Sequence, residues 1–468
     1  MYREQIEAYI DGKKDEMLTD LQTLVRIDSQ RGTPEEGMPF GEGPARVLKE
    51  ASALMEKAGL TVTNYDNYVV TGDFGPGEKA LDILAHLDVV PVTKDWTVTQ
   101  PFEPLIRDGR IYGRGTADDK GPAVAALYAI RAVRELGLPI KHSVRLILGS
   151  DEECGSSDLE YYYTKEKEAP YSFTPDADFP LINLEKARLA KSFSAELDKT
   201  AERPAVILLE GGDKVNVVPA KARAVAAGLG IAAGAEAAAR IQEKTGVAFT
   251  LTETEDGNLE IRTKGTAAHG STPELGSNAL TALLEMLCTL PLADCKGARI
   301  IHALAGLFPH GDTRGEAFGV AMKDDKSGAL SMNLGILKMD TDRIYGEYDV
   351  RAPLCASDEN LTEVVRAALK KAGLTMEEGN MKPAHYVPED SFFVKTLLDT
   401  YEEYFGKKGK PLFTGGGTYV HELERGVAFG CMTEEVDNHM HGDDEFMEID
   451  MLLRSAKIFA DAIVRLCS

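Results

Sequence analysis

The sequence predicts an α/β protein with a mixed or parallel sheet flanked by helices, into which an α+β region is inserted. Two continuous apolar runs, 81–85 and 144–149, have the length and composition of buried strands, and an apolar-faced helix begins near Gly121 between them. Buried strands that alternate with helices are typical of a sheet covered by helices on both faces. Near 185–188 the pattern changes to alternating strands and short helices, and long helices return after 386. The first and last parts of the chain are therefore predicted to form one domain.

The elements of the first part follow from the spacing of apolar residues. From Ile6 to Leu24 these residues recur at helical spacing, which predicts one amphipathic helix over about 3–28. The further elements expected before the insertion are, in order, a helix at 43–58, strands at 61–65, 69–72 and 81–85, a helix from Gly121 and a strand at 144–149.

The middle of the chain is predicted to be a separate α+β domain. Its strand-like runs and helices are, in order, 189–196, 222–229, a helix near 234–243, 249–254, 259–264, a helix near 277–288, 331–338, 343–350 and a helix at 362–372. A unit of four strands and two helices needs roughly 75 to 100 residues, so the insertion has room for two ferredoxin-like units. The predicted domains are therefore 1–186 together with 385–468, and the insertion at 187–384. The helices 391–405 and 448–466 complete the first domain.

The charge and the cysteines restrict the kind of protein. Of 468 residues, 76 are Asp or Glu and 52 are Lys or Arg, which gives a net charge of −24. Such a charge disfavours nucleic acid and anionic membranes as partners and is typical of a soluble acidic enzyme. No apolar run is long enough to span a bilayer, the N-terminus lacks an apolar signal core, and the six cysteines form no Cys-x-x-Cys pair. We therefore expect a cytoplasmic protein with reduced thiols and neither a nucleic-acid nor a membrane partner.

The segment Gly113–Gly121, Gly-Arg-Gly-Thr-Ala-Asp-Asp-Lys-Gly, is the most unusual stretch of the chain. It follows a strand-like run, 110–112, and opens the apolar-faced helix, with Pro122 in the first turn. Asp118 and Asp119 therefore lie at a helix N-terminus, where the helix dipole favours negative charge. A helix cap uses a single Asp, so the Asp pair in a glycine-rich loop favours a carboxylate held rigidly against a cation.

Polar residues directly follow both of the predicted buried strands. The segment 86–88 (His-Leu-Asp) follows the first strand, and 151–153 (Asp-Glu-Glu) follows the second. Sites in such sheets lie at the carboxyl ends of the strands, so these residues and Asp118 are expected to face one crevice. Each pattern taken alone is also common without a function, as a structural His-x-Asp or as a solvated pair of glutamates.

The residue types in this crevice favour a metal site. Imidazoles and carboxylates without thiolates are the ligands of hydrolytic di-metal centres. The segment 439–445 (His-Met-His-Gly-Asp-Asp-Glu) adds two imidazoles, although it could also be a polar loop. Two divalent cations and three carboxylates would leave a formal charge of about +1, which favours a metal-bridging hydroxide because metals lower the pKa of water to about 7. A further carboxylate without a metal would be the general base.

Five motifs together resemble those of the co-catalytic di-metal peptidase family, which includes aminoacylases, glutamate carboxypeptidases, peptidase T and dipeptidases. In chain order they are His-x-Asp at 86–88, the glycine-rich segment at 113–121, Asp-Glu-Glu-Cys-Gly-Ser at 151–156, Thr-Pro-Asp at 174–176 and His-x-x-x-Glu at 441–445. The match covers the whole chain. Within the family the sequence is most similar to the carnosinase-like bacterial dipeptidases of the dipeptidase V type, on the segments 116–122, 173–180 and 413–419 and on the long insertion.

The resemblance implies a ligand set for two divalent ions. Asp118 would bridge both ions, His86 and Asp176 would complete the shell of one, and Glu153 and His441 would complete the shell of the other. The ions would be zinc, with manganese or cobalt as alternatives, because mixed imidazole and carboxylate ligands do not decide between these metals.

The resemblance also implies catalytic groups beside the ligands. Glu152 would be the general base and later the proton donor. Asp88 would orient His86, since metal-bound histidines usually hydrogen-bond to a neighbour through the other ring nitrogen. A cis peptide bond is implied between Asp118 and Asp119.

The insertion would be a lid domain that contributes to substrate binding. His269 would polarise the scissile carbonyl, while Asn216 and Arg351 would hold the substrate. Arg351 would act as a fork on the C-terminal carboxylate. A glycine loop would approach the substrate backbone closely, as glycine permits. Its substrate-binding residues would be Gly415, Gly416 and Thr418.

The predicted function is that of a di-metal metallopeptidase, a dipeptidase that hydrolyses small dipeptides with a free amino terminus and acts as a monomer. An N-acyl amino acid deacylase, of the desuccinylase or acetylornithine deacetylase type, is the alternative enzyme with the same metal site. A non-catalytic binding protein of the same fold is the remaining alternative, although Glu152 would then have no reason to accompany a full ligand set.

Overall fold

The computed structural model describes residues 2–199 and 202–468, and the chain forms two compact units. The first unit consists of Met1–Leu184, Tyr386–Phe413 and Gly417–Ser468, and the second of Glu185–His385 and Thr414–Gly416. The first unit is a mixed sheet with helices, and the second is an antiparallel sheet with helices. The predicted fold class, an α/β domain with an α+β insertion, is thereby confirmed. The boundaries 1–186, 187–384 and 385–468 for a catalytic domain and a lid stay a prediction.

The first unit is built on a sheet whose middle strands are parallel and buried. Among the described residues it contains nine strands, which lie across the sheet in the order Thr61–Tyr65, Val69–Phe74, Ser143–Gly149, Lys79–His86, Tyr171–Thr174, Gly426–Ala428, Ile182–Glu185 and His385–Tyr386, with Leu412–Thr414 paired to Ile182–Glu185. The strands from Ser143–Gly149 to Gly426–Ala428 run parallel. The predicted runs 81–85 and 144–149 lie side by side in this part and are fully buried. Their continuous apolar sequence is what burial on both faces requires.

Helices cover this sheet. They are Arg3–Gly12, Lys14–Val25, Glu42–Lys57, Lys120–Glu135, Ser157–Tyr162, Phe392–Phe405 and Ile449–Leu466, with 3₁₀ turns at Glu152–Cys154 and Tyr419–Glu422. The helix Lys120–Glu135 is buried along nearly its whole length and packs against Ile449–Leu466. A helix that is apolar all round is expected between a sheet and outer helices. The helix that begins at the Asp-Asp loop is therefore fixed within the core.

The N-terminal helix is interrupted, so the prediction of one helix over 3–28 is wrong. Arg3–Gly12 and Lys14–Val25 are separate helices because Lys13 leaves the helical conformation, with φ −102° and ψ 3°. Gly12 directly precedes the break, and glycine weakens a helix interior by roughly 0.5–1 kcal/mol.

A small sheet brings the C-terminal part of the chain to the segment 113–121. Phe446–Glu448 pairs with Arg110–Tyr112, which also pairs with Leu105–Arg107. This pairing places the His441 segment beside the glycine-rich loop. A further parallel pair consists of Ala177–Asp178 and Cys431–Met432.

The second unit is built on one large antiparallel sheet with helices. Its eight strands among the described residues are, across the sheet, Ala248–Glu253, Leu259–Lys264, Lys221–Ala227, Ala205–Gly211, Ser331–Met339, Arg343–Ala352, Ala187–Glu196 and Thr375–Met376. Its other elements are the helices Ile231–Thr245, Ala279–Leu287, Lys296–Leu307 and Glu363–Lys371, the short turns Pro273–Leu275 and Asp358–Thr362, and the hairpin strands Lys323–Asp324 and Gly328–Ala329. Two four-stranded halves meet where Ala205–Gly211 pairs with Ser331–Met339, an arrangement that agrees with two joined ferredoxin-like units.

Two of the longer elements of the second unit have no counterpart in the sequence prediction, and neither do its shortest strands and turns. The strand Ala205–Gly211 contains only a short apolar run, which fits a strand or a buried helix segment equally well. The helix Lys296–Leu307 contains Gly297 and Gly306, and glycine lowers helix propensity. In the part of the chain that the structure describes, no helix is both long and apolar enough to cross a membrane.

Candidate metal centre

Adjacent parallel strands of the first unit end at the predicted metal ligands. His86 is the last residue of the central strand, and the segment 151–153 follows the neighbouring strand Ser143–Gly149. Asp176 follows Tyr171–Thr174 on the other side. The carboxyl ends of these strands lie at one edge of the sheet, where the sequence predicted a crevice.

The loop that carries Asp118 depends on glycine. At Gly115 the backbone has φ +85°, a left-handed conformation that glycine adopts without strain. A Cβ atom on Gly121 would lie 2.1 Å from the carbonyl oxygen of Thr116, so no side chain fits where the loop turns into the helix. The peptide bond between Asp118 and Asp119 is cis, as the family resemblance implies.

Asp118 lies between two groups of imidazole and carboxylate side chains. Its Oδ1 is 2.9 Å from Nε2 of His86, and its Oδ2 is 2.8 Å from Nε2 of His441. Nε2 of His86 is also 3.8 Å from Oδ2 of Asp176, and Nε2 of His441 is 3.1 Å from Oε1 of Glu153. Ligand atoms around a tetrahedral zinc ion are roughly 3.3 Å apart. Each group could therefore hold a divalent cation, and the two groups share Asp118.

The two groups differ in their exposure to solvent. The side chain of His86 is 1% exposed, whereas that of His441 is 52% exposed. We name the buried set of His86, Asp118 and Asp176 the inner group, and the set of Asp118, Glu153 and His441 the outer group.

The electrostatics of these side chains favours bound cations. Burial alone would raise the pKa of Asp118, but hydrogen bonds from His441 and His86 outweigh burial and hold this pKa below its usual range. Burial, followed by the charge of Asp118, raises the pKa of Asp176 to about 7. Hydrogen bonds to Asp118 and Glu153 raise the pKa of His441 to about 11. Protonated imidazoles thus balance the carboxylates here, and divalent ions, which bind neutral imidazole, would take over that role.

Asp88 connects His86 to the turn that carries the two glutamates. The carbonyl oxygen of Asp88 is 3.1 Å from Nδ1 of His86. The carboxylate of Asp88 accepts the backbone N–H of Glu152 at 3.2 Å and that of Glu153 at 3.1 Å. A neutral His86 that donates from Nδ1 presents the lone pair of Nε2 to the inner group. This geometry fits the orienting role predicted for Asp88.

Glu152 belongs to neither group although Glu153 follows it directly. The two residues begin a 3₁₀ turn, in which successive side chains point about 120° apart. Burial is the main cause that raises the pKa of Glu152 well above its usual range, and the charges of Asp176 and Glu153 add to the effect. A carboxyl group of this kind beside a metal site is suited to accept a proton.

Two residues without a predicted role, Glu445 and Arg114, hold the ligand loops. The buried carboxylate of Glu445 accepts the backbone N–H groups of Gly115, Ala117 and Asp118 at 3.1, 2.9 and 3.2 Å. It also accepts Nη1 of Arg114 at 2.6 Å. The available sequence signal was that Glu445 closes the His-x-x-x-Glu motif and Arg114 lies in the glycine-rich segment, but neither position by itself indicates a contact.

The predicted substrate residues of the second unit form a set of their own. Nδ1 of His269 lies 2.6 Å from the hydroxyl of Ser271. The backbone N–H of Gly270 donates to the carbonyl of Asn216 at 2.7 Å. The loop with His269 is therefore joined to the loop with Asn216.

Arg351 occupies a buried position in the same unit. Its Nε donates to both oxygens of Asp349, at 3.1 and 2.9 Å, and its Nη1 donates to the carbonyl of Gly415. A Cβ atom on Gly415 would lie 2.7 Å from Cβ of Ser271, so this position needs glycine. Gly416 donates its N–H to the hydroxyl of Thr414 at 2.9 Å.

Thr418 lies in the first unit, which resumes at Gly417, whereas Thr414–Gly416 belong to the second unit. Its hydroxyl caps the turn Tyr419–Glu422. The substrate-binding roles of Thr418 and of the second-unit residues stay predictions.

Comparison with known proteins places the chain in a family. An α/β sheet with two linked groups of His and carboxylate ligands at its strand ends is the arrangement of a metal-dependent hydrolase. Residues 83–465 match the family described as "Peptidase family M20/M25/M40". The chain therefore belongs to this peptidase family.

Relatives of known name match the chain over its whole length. A putative dipeptidase, YtjP, of Bacillus subtilis (strain 168) is 36% identical, with 98% of this chain and 99% of the relative covered. The Beta-Ala-Xaa dipeptidase of Lactobacillus delbrueckii subsp. lactis is 33% identical, with 97% of each covered. The crystal structure of human carnosine dipeptidase 1 has the same fold, with a TM-score of 0.62 at 16% identity over 100% of this chain and 99% of that one.

Proposed function

We propose that the protein is a metal-dependent dipeptidase that hydrolyses the peptide bond of dipeptides with a free amino terminus. The observation that carries this proposal is the single carboxylate of Asp118 between the inner and outer groups, with Glu152 beside both and in neither. Full-length relatives that are named dipeptidases support the substrate class. A cytoplasmic location and the absence of nucleic-acid and membrane partners stay predictions from the charge and the cysteines.

The inner and outer groups would hold two divalent ions. We propose zinc, with manganese and cobalt as the other candidates, because imidazole and carboxylate ligands suit all three. When bound, the ions would supply Lewis acidity to the scissile carbonyl and lower the pKa of the attacking water.

Glu152 would move the protons of the reaction. Its carboxylate would accept a proton from the attacking water and then donate this proton to the departing amine. A raised pKa suits both steps, because the group must be protonated midway through the reaction at neutral pH. Asp88 would keep His86 oriented through the reaction.

Recognition of a dipeptide needs contacts to both of its ends. The free amine is cationic and would be favoured near the excess of carboxylates around Asp118. Arg351 would pair with the C-terminal carboxylate of the substrate, as a guanidinium fork suits. An N-acyl group would remove the positive charge of the amine, and a third residue would displace the carboxylate from Arg351.

The test is hydrolysis of a peptide panel by protein that has been stripped of metal and then reloaded with zinc, manganese or cobalt. The panel contains α-dipeptides, β-Ala-Xaa dipeptides, their N-acetyl forms and tripeptides. We expect activity only after metal is restored, and a kcat/KM at least tenfold higher for free dipeptides than for N-acetyl forms and tripeptides. A higher kcat/KM for N-acyl amino acids would replace this proposal with a deacylase. Full activity without any metal would contradict the assigned chemistry.

A further inference from the structure

A buried guanidinium joins the loops of Asp118 and His441, two of the three residues in the outer group. Nη1 of Arg114 donates to Glu445 at 2.6 Å, and Nη2 donates to the carbonyl oxygen of Gly442 at 2.8 Å. Arg114 lies on the loop of Asp118, and Gly442 directly follows His441. The side chains of Arg114 and Glu445 are 2% and 0% exposed, so water does not compete for these bonds.

The loop around His441 needs support from outside. The backbone has φ +59° at His439, +61° at His441 and +58° at Asp444, and side-chain-bearing residues adopt this left-handed region only at a cost. Asp444 fixes one end of the loop by accepting the N–H groups of Thr97 and Val98, both at 2.8 Å. The guanidinium fixes the stretch between His441 and Glu445.

The environment of Arg114 makes use of both Nη atoms. Its guanidinium lies 5.5 Å from the ring centre of Trp96. Among the described residues its buried Nε has no hydrogen-bond acceptor. The two Nη groups therefore make the polar contacts of the guanidinium, Nη1 with Glu445 and Nη2 with Gly442. A lysine ammonium in the same place lacks the planar guanidinium and cannot reproduce both hydrogen bonds with the same geometry.

We propose that Arg114 and Glu445 are positioning residues that set the metal affinity of the centre, and that Arg114 acts selectively on the outer group. This inference rests on the proposed metal centre. Asp118 belongs to both groups and is held by Glu445 through backbone amides, whereas His441 belongs to the outer group alone. Loss of the bond to Gly442 should therefore loosen one ion, and loss of the Glu445 carboxylate should loosen both.

The experiment titrates metal-stripped protein with Zn²⁺ alone by isothermal titration calorimetry. The wild type should bind two ions. Arg114→Lys should bind the weaker ion 10–100-fold less tightly, the range typical of changed partners of metal ligands, and should leave the tighter ion within about threefold. The variant His441→Ala removes an outer ligand and therefore shows which of the two Zn²⁺ binding steps belongs to the outer group.

Glu445→Gln is the second variant. The side-chain amide of Gln would direct its N–H₂ group towards either Arg114 or the backbone N–H groups of the Asp118 loop. Both of these are donors, so only an acceptor fits at either place. We expect both ions to bind 10–100-fold less tightly. If Arg114→Lys fails to fold, this variant decides the proposal.

A matched control is the buried pair of Asp82 and Arg145 in the same unit. Nε and Nη2 of Arg145 donate to the two oxygens of Asp82 at 2.8 and 2.7 Å. Arg145→Lys makes the same chemical change in a pair that touches no ligand loop. It should lower the thermal midpoint of the metal-free protein without altering either Zn²⁺ affinity.

The outcomes separate the inference from the proposed function. Failure of the wild type to bind two ions would refute the metal centre itself. Two ions in the wild type with unchanged affinities in both variants, or equal loss of both ions in Arg114→Lys, would overturn the positioning role. Loss of Zn²⁺ affinity in Arg145→Lys to the same degree would show a general effect of destabilisation and would overturn it as well.

Discussion

At the scale of single residues, the site places neighbours of the same type in different surroundings. Glu152 and Glu153 are adjacent carboxylates, yet Glu153 lies 3.1 Å from His441 while Glu152 joins neither ligand group. The cause is the 3₁₀ turn, which directs successive side chains about 120° apart. Both backbone N–H groups are anchored on Asp88, so the turn cannot rotate freely to exchange the two side chains.

Substitution of each glutamate should therefore have a distinct effect. Glu152→Gln should lower kcat by about 10²–10⁴-fold, the usual contribution of a general acid–base group, with both ions still bound. Glu153→Gln should release or weaken one ion, because a charged ligand is lost. Metal content of the dialysed variants, measured by inductively coupled plasma mass spectrometry, distinguishes the two results. Equal metal loss in both variants would show that the roles are assigned wrongly.

At the scale of elements, the glycine-rich loop depends on the helix that follows it. The helix Lys120–Glu135 is buried against the sheet and against Ile449–Leu466, so its first turn has a fixed position. The carbonyl oxygen of Thr116 approaches Gly121 so closely that a Cβ atom there would lie only 2.1 Å away. The loop with Asp118 can close over the helix start only if this residue is glycine.

Gly121→Ala is expected to disturb both the fold and the metal centre. The clash with a backbone atom should cost about 1–3 kcal/mol of unfolding free energy, as over-packing does, and should weaken Zn²⁺ binding. Gly12→Ala is the matched control, because Gly12 lies in a helix and a Cβ atom added to it would have no neighbouring atom within 4 Å. That variant should be neutral or stabilising by about 0.5–1 kcal/mol. Urea unfolding and Zn²⁺ titration of both variants check the expectation, which fails if Gly121→Ala behaves like the control.

At the scale of the whole molecule, the second unit pairs two of its own strand edges with each other. Its two four-stranded halves pair with each other along Ala205–Gly211 and Ser331–Met339. A free edge at this position would be available to a second chain. The internal pairing removes that opportunity and is the reason for which we expect the protein to be a monomer.

Multi-angle light scattering should give the mass of a single chain, 50.8 kDa, across micromolar concentrations. Mixing a His269→Ala variant with a Glu152→Gln variant should not restore activity, because a monomer cannot exchange residues between sites. The two variants measured separately serve as the baseline. A stable dimer, together with recovered activity in the mixture, would contradict the expectation.

Much of the site follows from the sequence because local patterns determined it. Apolar runs fixed the two central strands, and parallel strands end at a common edge, so the polar residues after 81–85 and 144–149 had to meet. The family resemblance supplied Asp176, and it selected His441 as the ligand from the two imidazoles of the segment 439–445. The cis bond after Asp118 likewise came from the resemblance, and the structure contains it.

Other features were decided only by the tertiary structure. Arg114 and Glu445 are 331 residues apart, and each is of a type that is common on protein surfaces. Nothing in their neighbours indicates that they meet in the core. The segment Thr414–Gly416 is a second example, because it belongs to the second unit although the residues on both sides of it belong to the first. One of its contacts there is the hydrogen bond from the N–H of Lys186 to the carbonyl oxygen of Thr414, at 3.0 Å. Sequence patterns report the preference of a segment for a conformation and for burial, whereas contacts between distant segments depend on how all the elements pack together.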